Sequence, residues 1–197
     1  MNNSDFCSEN ILVQDELRTV IIDFGLATRT TEPCEGLCGS EGFYAPEMLL
    51  EAPYMGEKVD VWGFGCILLE LALGSTQFDT EWLKYYRADL TPSHFASKLE
   101  EWITKKLEDR LAAYSDGLRV VIRKALTIDP RARPSMTDLL QHSWFEVQPS
   151  TLQQSKRAGV TRFLDRASRV VMKNGGKRAM KTSLNISSMY NSNTRCN

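Results

Sequence analysis

One tripeptide near the start of the chain could do inorganic chemistry. Asp23-Phe24-Gly25 directly follows the β-branched run Thr19-Val20-Ile21-Ile22. That places a carboxylate at a strand end, an apolar anchor beside it and a glycine that lets the backbone hinge. A carboxylate so placed suits a hard cation, which takes oxygen ligands. Other metal chemistries are not indicated. The two histidines, His94 and His142, have no partner at ligand spacing and are expected to be surface or capping residues. The cysteines at 7, 34, 38, 66 and 196 are odd in number and form no CxxC pair, so neither a disulfide framework nor a zinc site is expected, and they are read as reduced cytosolic thiols.

The elements that must hold Asp23 can be read from periodicity. Ile11-Leu12-Val13 and Thr19-Val20-Ile21-Ile22 flank the polar stretch Gln14 to Arg18 and predict a short β-hairpin. Downstream the pattern is helical. A segment from about Asp60 to Leu73 is apolar nearly all round, as expected of a helix buried at a domain centre, with Trp62 a core residue. Leu99, Trp102, Ile103, Leu107, Leu111 and Tyr114 follow helical spacing, as do Leu118, Val121, Ile122 and Ala125, and then Thr137 to His142. The expected fold class is therefore mainly α with a short hairpin near the N-terminus.

Further motifs stand at informative distances: Ala45-Pro46-Glu47, Asp60-Val61-Trp62-Gly63-Phe64-Gly65, and Asp129-Pro130-Arg131-Ala132-Arg133-Pro134-Ser135. In this order, after Asp23-Phe24-Gly25, they resemble the C-terminal lobe of eukaryotic protein kinases from about Asp5 to Phe145. Leu37-Cys38-Gly39-Ser40-Glu41-Gly42-Phe43-Tyr44 is similar to the Ser/Thr rather than the tyrosine type. The resemblance implies transfer of the ATP γ-phosphoryl group to protein hydroxyls with Mg²⁺.

By the same resemblance, Asp5 is the catalytic base, Asn10 and Asp23 are metal ligands, and Asn10, Asp23, Phe24 and Gly25 form the cofactor-binding set. Ser40 is expected to hydrogen-bond Asp5, and Glu47 to pair with Arg133. Glu9 and Glu70 match positions that hold substrate arginines in basophilic relatives. The sequence also departs from the family. The His, Arg, Lys and Pro of the catalytic loop are replaced by Asn3, Ser4, Cys7 and Ser8. A thiol cannot supply the ammonium charge that faces the transferring phosphate. Gly36 and Ser4 stand where an activating phosphothreonine and its arginine are expected, so no switch of that type is implied; Thr28, Thr30 and Thr31 are alternative hydroxyls. No Gly-rich loop, strand lysine or paired helix glutamate precedes the hairpin. The expectation is a truncated copy, with the N-terminal lobe missing, that binds ATP poorly and is inactive alone. The alternative is a non-catalytic pseudokinase or protein-interaction module.

Composition sets the outer bounds. With 197 residues, 42% hydrophobic and 25% charged, the chain can build a globular core. It shows no signal pattern or apolar run long enough to span a membrane, so a cytoplasmic location is expected. The formal charge of −1 conceals a division. Residues 148–197 carry ten Lys or Arg and one acid, a net of +9, whereas 1–147 carry fourteen basic and twenty-four acidic residues, a net of −10. We therefore expect a lobe over 1–147 and a basic tail over 148–197. In the tail, Val160, Phe163, Leu164, Ala167, Val170 and Val171 predict an amphipathic helix that needs a surface. Its expected partners are the acidic lobe first, then a calmodulin-like groove or an anionic membrane. Arg166-Ala167-Ser168 is read as an autoinhibitory or autophosphorylated segment. A protein substrate is implied, and no nucleic acid.

Overall fold

The computed structural model describes residues 2–3, 5–13, 18–29, 32–50 and 52–146. The predicted tail helix, Ser4, Thr30 and Thr31 lie outside these residues. The predicted hairpin is present: β2 (Ile11–Val13) pairs antiparallel with β3 (Thr19–Ile21), with Ile11 opposite Ile21 and Val13 opposite Thr19. A second antiparallel pair joins β1 (Asn2–Asn3) to β4 (Ala27–Thr28), so the segments before and after the hairpin run side by side.

Residues 32–50 are mostly turns, with a 3-10 helix at Pro46–Leu49, and the described chain from Gly56 onward is mainly helical. Helix α1 (Gly56–Leu73) begins a turn earlier than the sequence suggests, because Gly56 and Val59 are already buried. It is enclosed on every side: Val61, Trp62, Cys66 and Leu69 are solvent-free. It stops at Gly74, whose φ of 81° no residue with a side chain adopts cheaply. A short helix α2 (Ser75–Phe78), a wide π-type turn (Asp79–Leu83) and α3 (Lys84–Tyr86) follow. Helix α4 (Pro92–Lys105) starts with Pro92 in its first turn and with the Thr91 side chain accepting the His94 N–H.

The apolar spacing from Leu99 to Tyr114 reads as one helix, but the structure breaks it. At Lys106 φ is −117°, and α5 (Leu107–Arg110) starts as a separate short helix. The spacing survives because Leu107 and Leu111 still face the core. Helix α6 (Asp116–Ala125) is capped by Ser115 and packs on α1, where Gly65 leaves no room for a Cβ against Ala125 and Leu126. Ser135 and Asp138 form a reciprocal capping box at α7 (Met136–Leu140). His142 accepts the Trp144 N–H through Nδ1 and His94 is exposed, which is the capping and surface pair expected.

The core is a column of large aromatics. Trp82 lies 6.1 Å from Trp62 and meets Trp102 edge-on at 5.4 Å, all three fully buried. Arg133 stacks over Trp62 at 5.0 Å.

Candidate active site

The site is assembled by a buried ion pair and a short clasp. Arg133, enclosed by the protein, donates to both carboxylate oxygens of Glu47 at 2.7 and 3.0 Å, bidentate as planar guanidinium favours. Its remaining donors reach the carbonyls of Thr127, Lys58 and Ile128, so the charge is fully engaged. This staples the segment ending at Glu47 to α1 and to the turn before α7. Burial of both charges is tolerable only because every donor is met.

Above the staple, the clasp joins the segment to the first loop. The N–H and hydroxyl of Ser40 donate to Oδ1 of Asp5 at 2.8 and 2.7 Å. Asn10 Nδ2 donates to the other carboxylate oxygen at 3.0 Å and to the Asp5 carbonyl at 3.0 Å. Asp5 is thus fixed in orientation from both sides. Because the amide nitrogen of Asn10 is committed to Asp5, its carbonyl oxygen remains the group free to act as a ligand. The loop itself is held by a 3-10 turn at Ser8–Asn10 and by α1, where a Cβ on Gly63 would lie 2.7 Å from the Phe6 carbonyl.

Asp23 joins the group through the backbone. The Ile22 N–H donates to the Asn10 carbonyl at 2.8 Å, which ties the end of β3 to the first loop and sets Asp23 two residues beyond that strand. Asp23 is the only described non-glycine residue at positive φ, 59°, and its Oδ1 accepts the Gly25 N–H at 3.1 Å. A left-handed Asp is uncommon, and this side-chain contact stabilises the turn locally. Phe24 departs from expectation. Read as an apolar anchor, it is 50% exposed, because the described residues around the tight turn do not enclose it.

Cys7 occupies the expected lysine position and is 1% exposed. Burial pushes its thiol up to about 11, with the nearby Asp5 charge adding to the rise and the hydrogen bond to Ser40 pulling it back. It is neutral at physiological pH. Of the two glutamates read as arginine acceptors, Glu9 is exposed and Glu70 is buried in α1.

Sequence reasoning missed the second clamp on this segment. Trp82 Nε1 donates to the Gly42 carbonyl at 3.1 Å, and the Tyr86 hydroxyl to the Tyr44 carbonyl at 3.2 Å. Tyr54 reaches the Gly36 carbonyl at 2.7 Å, and its backbone exchanges two hydrogen bonds with Cys34. The recurrence of Phe78, Trp82 and Tyr86 every four residues was the available signal.

The donor types at Asp23 and Asn10 are ones a hard cation takes. Asp23 and Asn10 offer one carboxylate and one amide oxygen, and Mg²⁺ binds through one or two protein carboxylates with phosphate oxygens and water. Among the described residues no group of three or more His, Cys, Asp or Glu is placed to hold a metal by itself. The protein kinase domain family matches residues 3–145, nearly the whole described chain. This chain belongs to the protein kinase family. Its similar relatives are kinases by name, and one of them is a serine/threonine-protein kinase. Mouse sperm motility kinase 2B is 33% identical over 144 residues, covering 71% of this chain and 27% of that protein. Mouse sperm motility kinase 1 is 30% identical over 143 residues, covering 71% and 27%. Mouse serine/threonine-protein kinase SIK1 is 29% identical over 157 residues, covering 78% and 18%. The chain therefore spans about a quarter or less of the length of these relatives. In this member of the family the described free thiols are Cys7, Cys34, Cys38 and Cys66, and no described helix is long and apolar enough to cross a membrane.

Proposed function

We propose that this chain is the substrate-side lobe of a cytoplasmic Ser/Thr protein kinase whose reaction moves the ATP γ-phosphoryl group to a protein hydroxyl. The observation that carries the reading is the Asp5 carboxylate, oriented by Ser40 on one oxygen and Asn10 on the other. In the proposed roles, Asp5 accepts the proton of the substrate hydroxyl, and Ser40 keeps that carboxylate aimed while the segment from Cys34 to Glu47 receives the protein substrate. Asn10 and Asp23 hold Mg²⁺, and Phe24 and Gly25 complete the turn that presents Asp23. When bound, the metal supplies positive charge to the phosphate oxygens.

One observation favours a second reading, a pseudokinase module that binds protein partners without catalysis. The buried, neutral Cys7 thiol stands where the family places an ammonium, so the transferring phosphate lacks a compensating charge.

The deciding experiment is thermal unfolding with Mg²⁺ and ATP, run on wild type, Cys7→Lys and Asp23→Asn. Stabilisation by at least 2 °C, enhanced in Cys7→Lys and abolished in Asp23→Asn, supports the kinase reading. No shift in wild type or Cys7→Lys supports the partner-binding one.

A further inference from the structure

The residue that follows Ser40 carries an ion pair outside the clasp. Arg87 Nε donates to Oε2 of Glu41 at 3.2 Å, forty-six positions away, and Nη1 of the same guanidinium reaches Oδ1 of Asp79 at 2.9 Å. Three places in the fold are joined in this way: the segment that ends at Glu47, the start of the π-type turn, and the residue just past α3. Arg87 is itself anchored, because its N–H donates to the Leu83 carbonyl at 3.1 Å.

The position of Glu41 gives the pair its leverage. Ser40 and Glu41 form a two-residue stretch between Gly39 and Gly42, whose φ values are 92° and 95°. A stretch hinged by glycine at both ends has many alternative conformations, so a tether on it has more to restrict. On the inner side, Ser40 holds Oδ1 of Asp5 and is hydrogen-bonded to the Cys7 thiol. On the outer side, Trp82 holds the Gly42 carbonyl and Arg87 holds the Glu41 carboxylate. The residue that aims Asp5 is therefore gripped through its next neighbour in the chain. An isolated exposed pair contributes little, and these three side chains are between 40% and 51% exposed. Two features strengthen this one: two carboxylates share the guanidinium, and its planar fork loses little freedom per hydrogen bond formed.

We propose that Arg87 is a positioning residue for Asp5: by holding Glu41 it keeps Ser40 in place to donate both of its hydrogen bonds to the Asp5 carboxylate. The inference rests on the reading of Asp5 as proton acceptor. Its test reads the geometry of the clasp and not phosphate transfer, so its failure leaves that reading standing.

The test uses the full 197-residue chain and two readouts of clasp opening. One is hydrogen exchange of the Ser40 amide, resolved by NMR, and the other is the rate at which iodoacetamide labels Cys7, resolved by peptide mapping. Arg87→Gln and Glu41→Gln are each expected to speed both by about 1.5- to fivefold, the range that exposed pairs support, with the amides of Gly56–Leu73 unchanged. The double variant is expected to be no faster than the faster single, because the two changes remove one interaction. Salt at 1 M should speed opening in wild type, measured against the Gly56–Leu73 amides, and leave the double variant unmoved. Acceleration below about 1.5-fold in both single variants overturns the proposal. So do effects that multiply in the double variant, and a wild type that does not respond to salt. Acceleration shared equally by Gly56–Leu73 overturns it as well, since Arg87 would then act through the stability of the whole lobe.

Discussion

The hydroxyl of Ser40 and its own backbone N–H converge on a single oxygen of Asp5, at 2.7 and 2.8 Å. One side chain therefore ties two segments thirty-five residues apart, and removing its hydroxyl leaves the N–H contact in place. A hydrogen bond to a charged group contributes about 1.5 to 3 kcal/mol, so partial exposure puts Ser40→Ala near the lower end, about 1.5 kcal/mol. Ser40→Thr retains the donor and is expected within about 0.5 kcal/mol of wild type. Urea denaturation followed by tryptophan fluorescence measures both. Equal losses in the two variants would mean that the side chain's volume, not its hydroxyl, matters.

The Glu47–Arg133 staple gives a larger and differently shaped effect. With Arg133 enclosed and bidentate, Glu47→Gln or Arg133→Met leaves a charge or its partners stranded, at an expected cost of about 3 to 5 kcal/mol. The double variant removes both charges and should cost clearly less than the sum of the singles, the signature of direct coupling. Additive losses in a denaturation cycle would show that the two residues act separately.

Gly42 tests the clamp that the sequence did not reveal. Its φ is 95°, and an added Cβ would sit 2.3 Å from Leu83 Cδ2. Backbone strain of this kind costs about 1 to 3 kcal/mol, and the collision adds to it. Gly42→Ala is therefore expected to lower the unfolding midpoint sharply. Adding Leu83→Ala relieves the collision but not the strain, so its incremental cost in that background should be smaller than in wild type. If Leu83→Ala costs the same in both backgrounds, the side-chain contact is not what excludes a larger residue.

The hairpin and the buried α1 were readable from the sequence, because β-branched runs about a polar stretch and all-round apolarity each have few structural solutions, and the Glu47–Arg133 pair followed from the family resemblance. The break at Lys106 was hidden because Leu107 and Leu111 keep their core positions through it. Gly42 was invisible for a different reason: its constraint comes from Leu83, forty-one residues away. The exposure of Phe24 likewise depends on what surrounds the turn, which local pattern does not encode.

Cys7 gives a prediction whose sign can be worked out. Burial raises its thiol from an ordinary 9.0 to about 11, so the folded state holds its proton more tightly than the unfolded state does. Below pH 9 both states are protonated and the thiol's contribution is fully present. As pH rises from 9 to about 11 the unfolded chain ionises first, and stability falls through that window. Two pH units correspond to a loss on the order of 2 to 3 kcal/mol. Cys7→Ala removes the titrating group, so its stability should decline less steeply between pH 9 and 11 even though the variant starts from a lower value. Unfolding free energies measured at pH 8, 9, 10 and 11 give the two slopes. Parallel slopes would mean that the alkaline loss arises elsewhere, with Cys66, buried and pushed further up, the next group to replace.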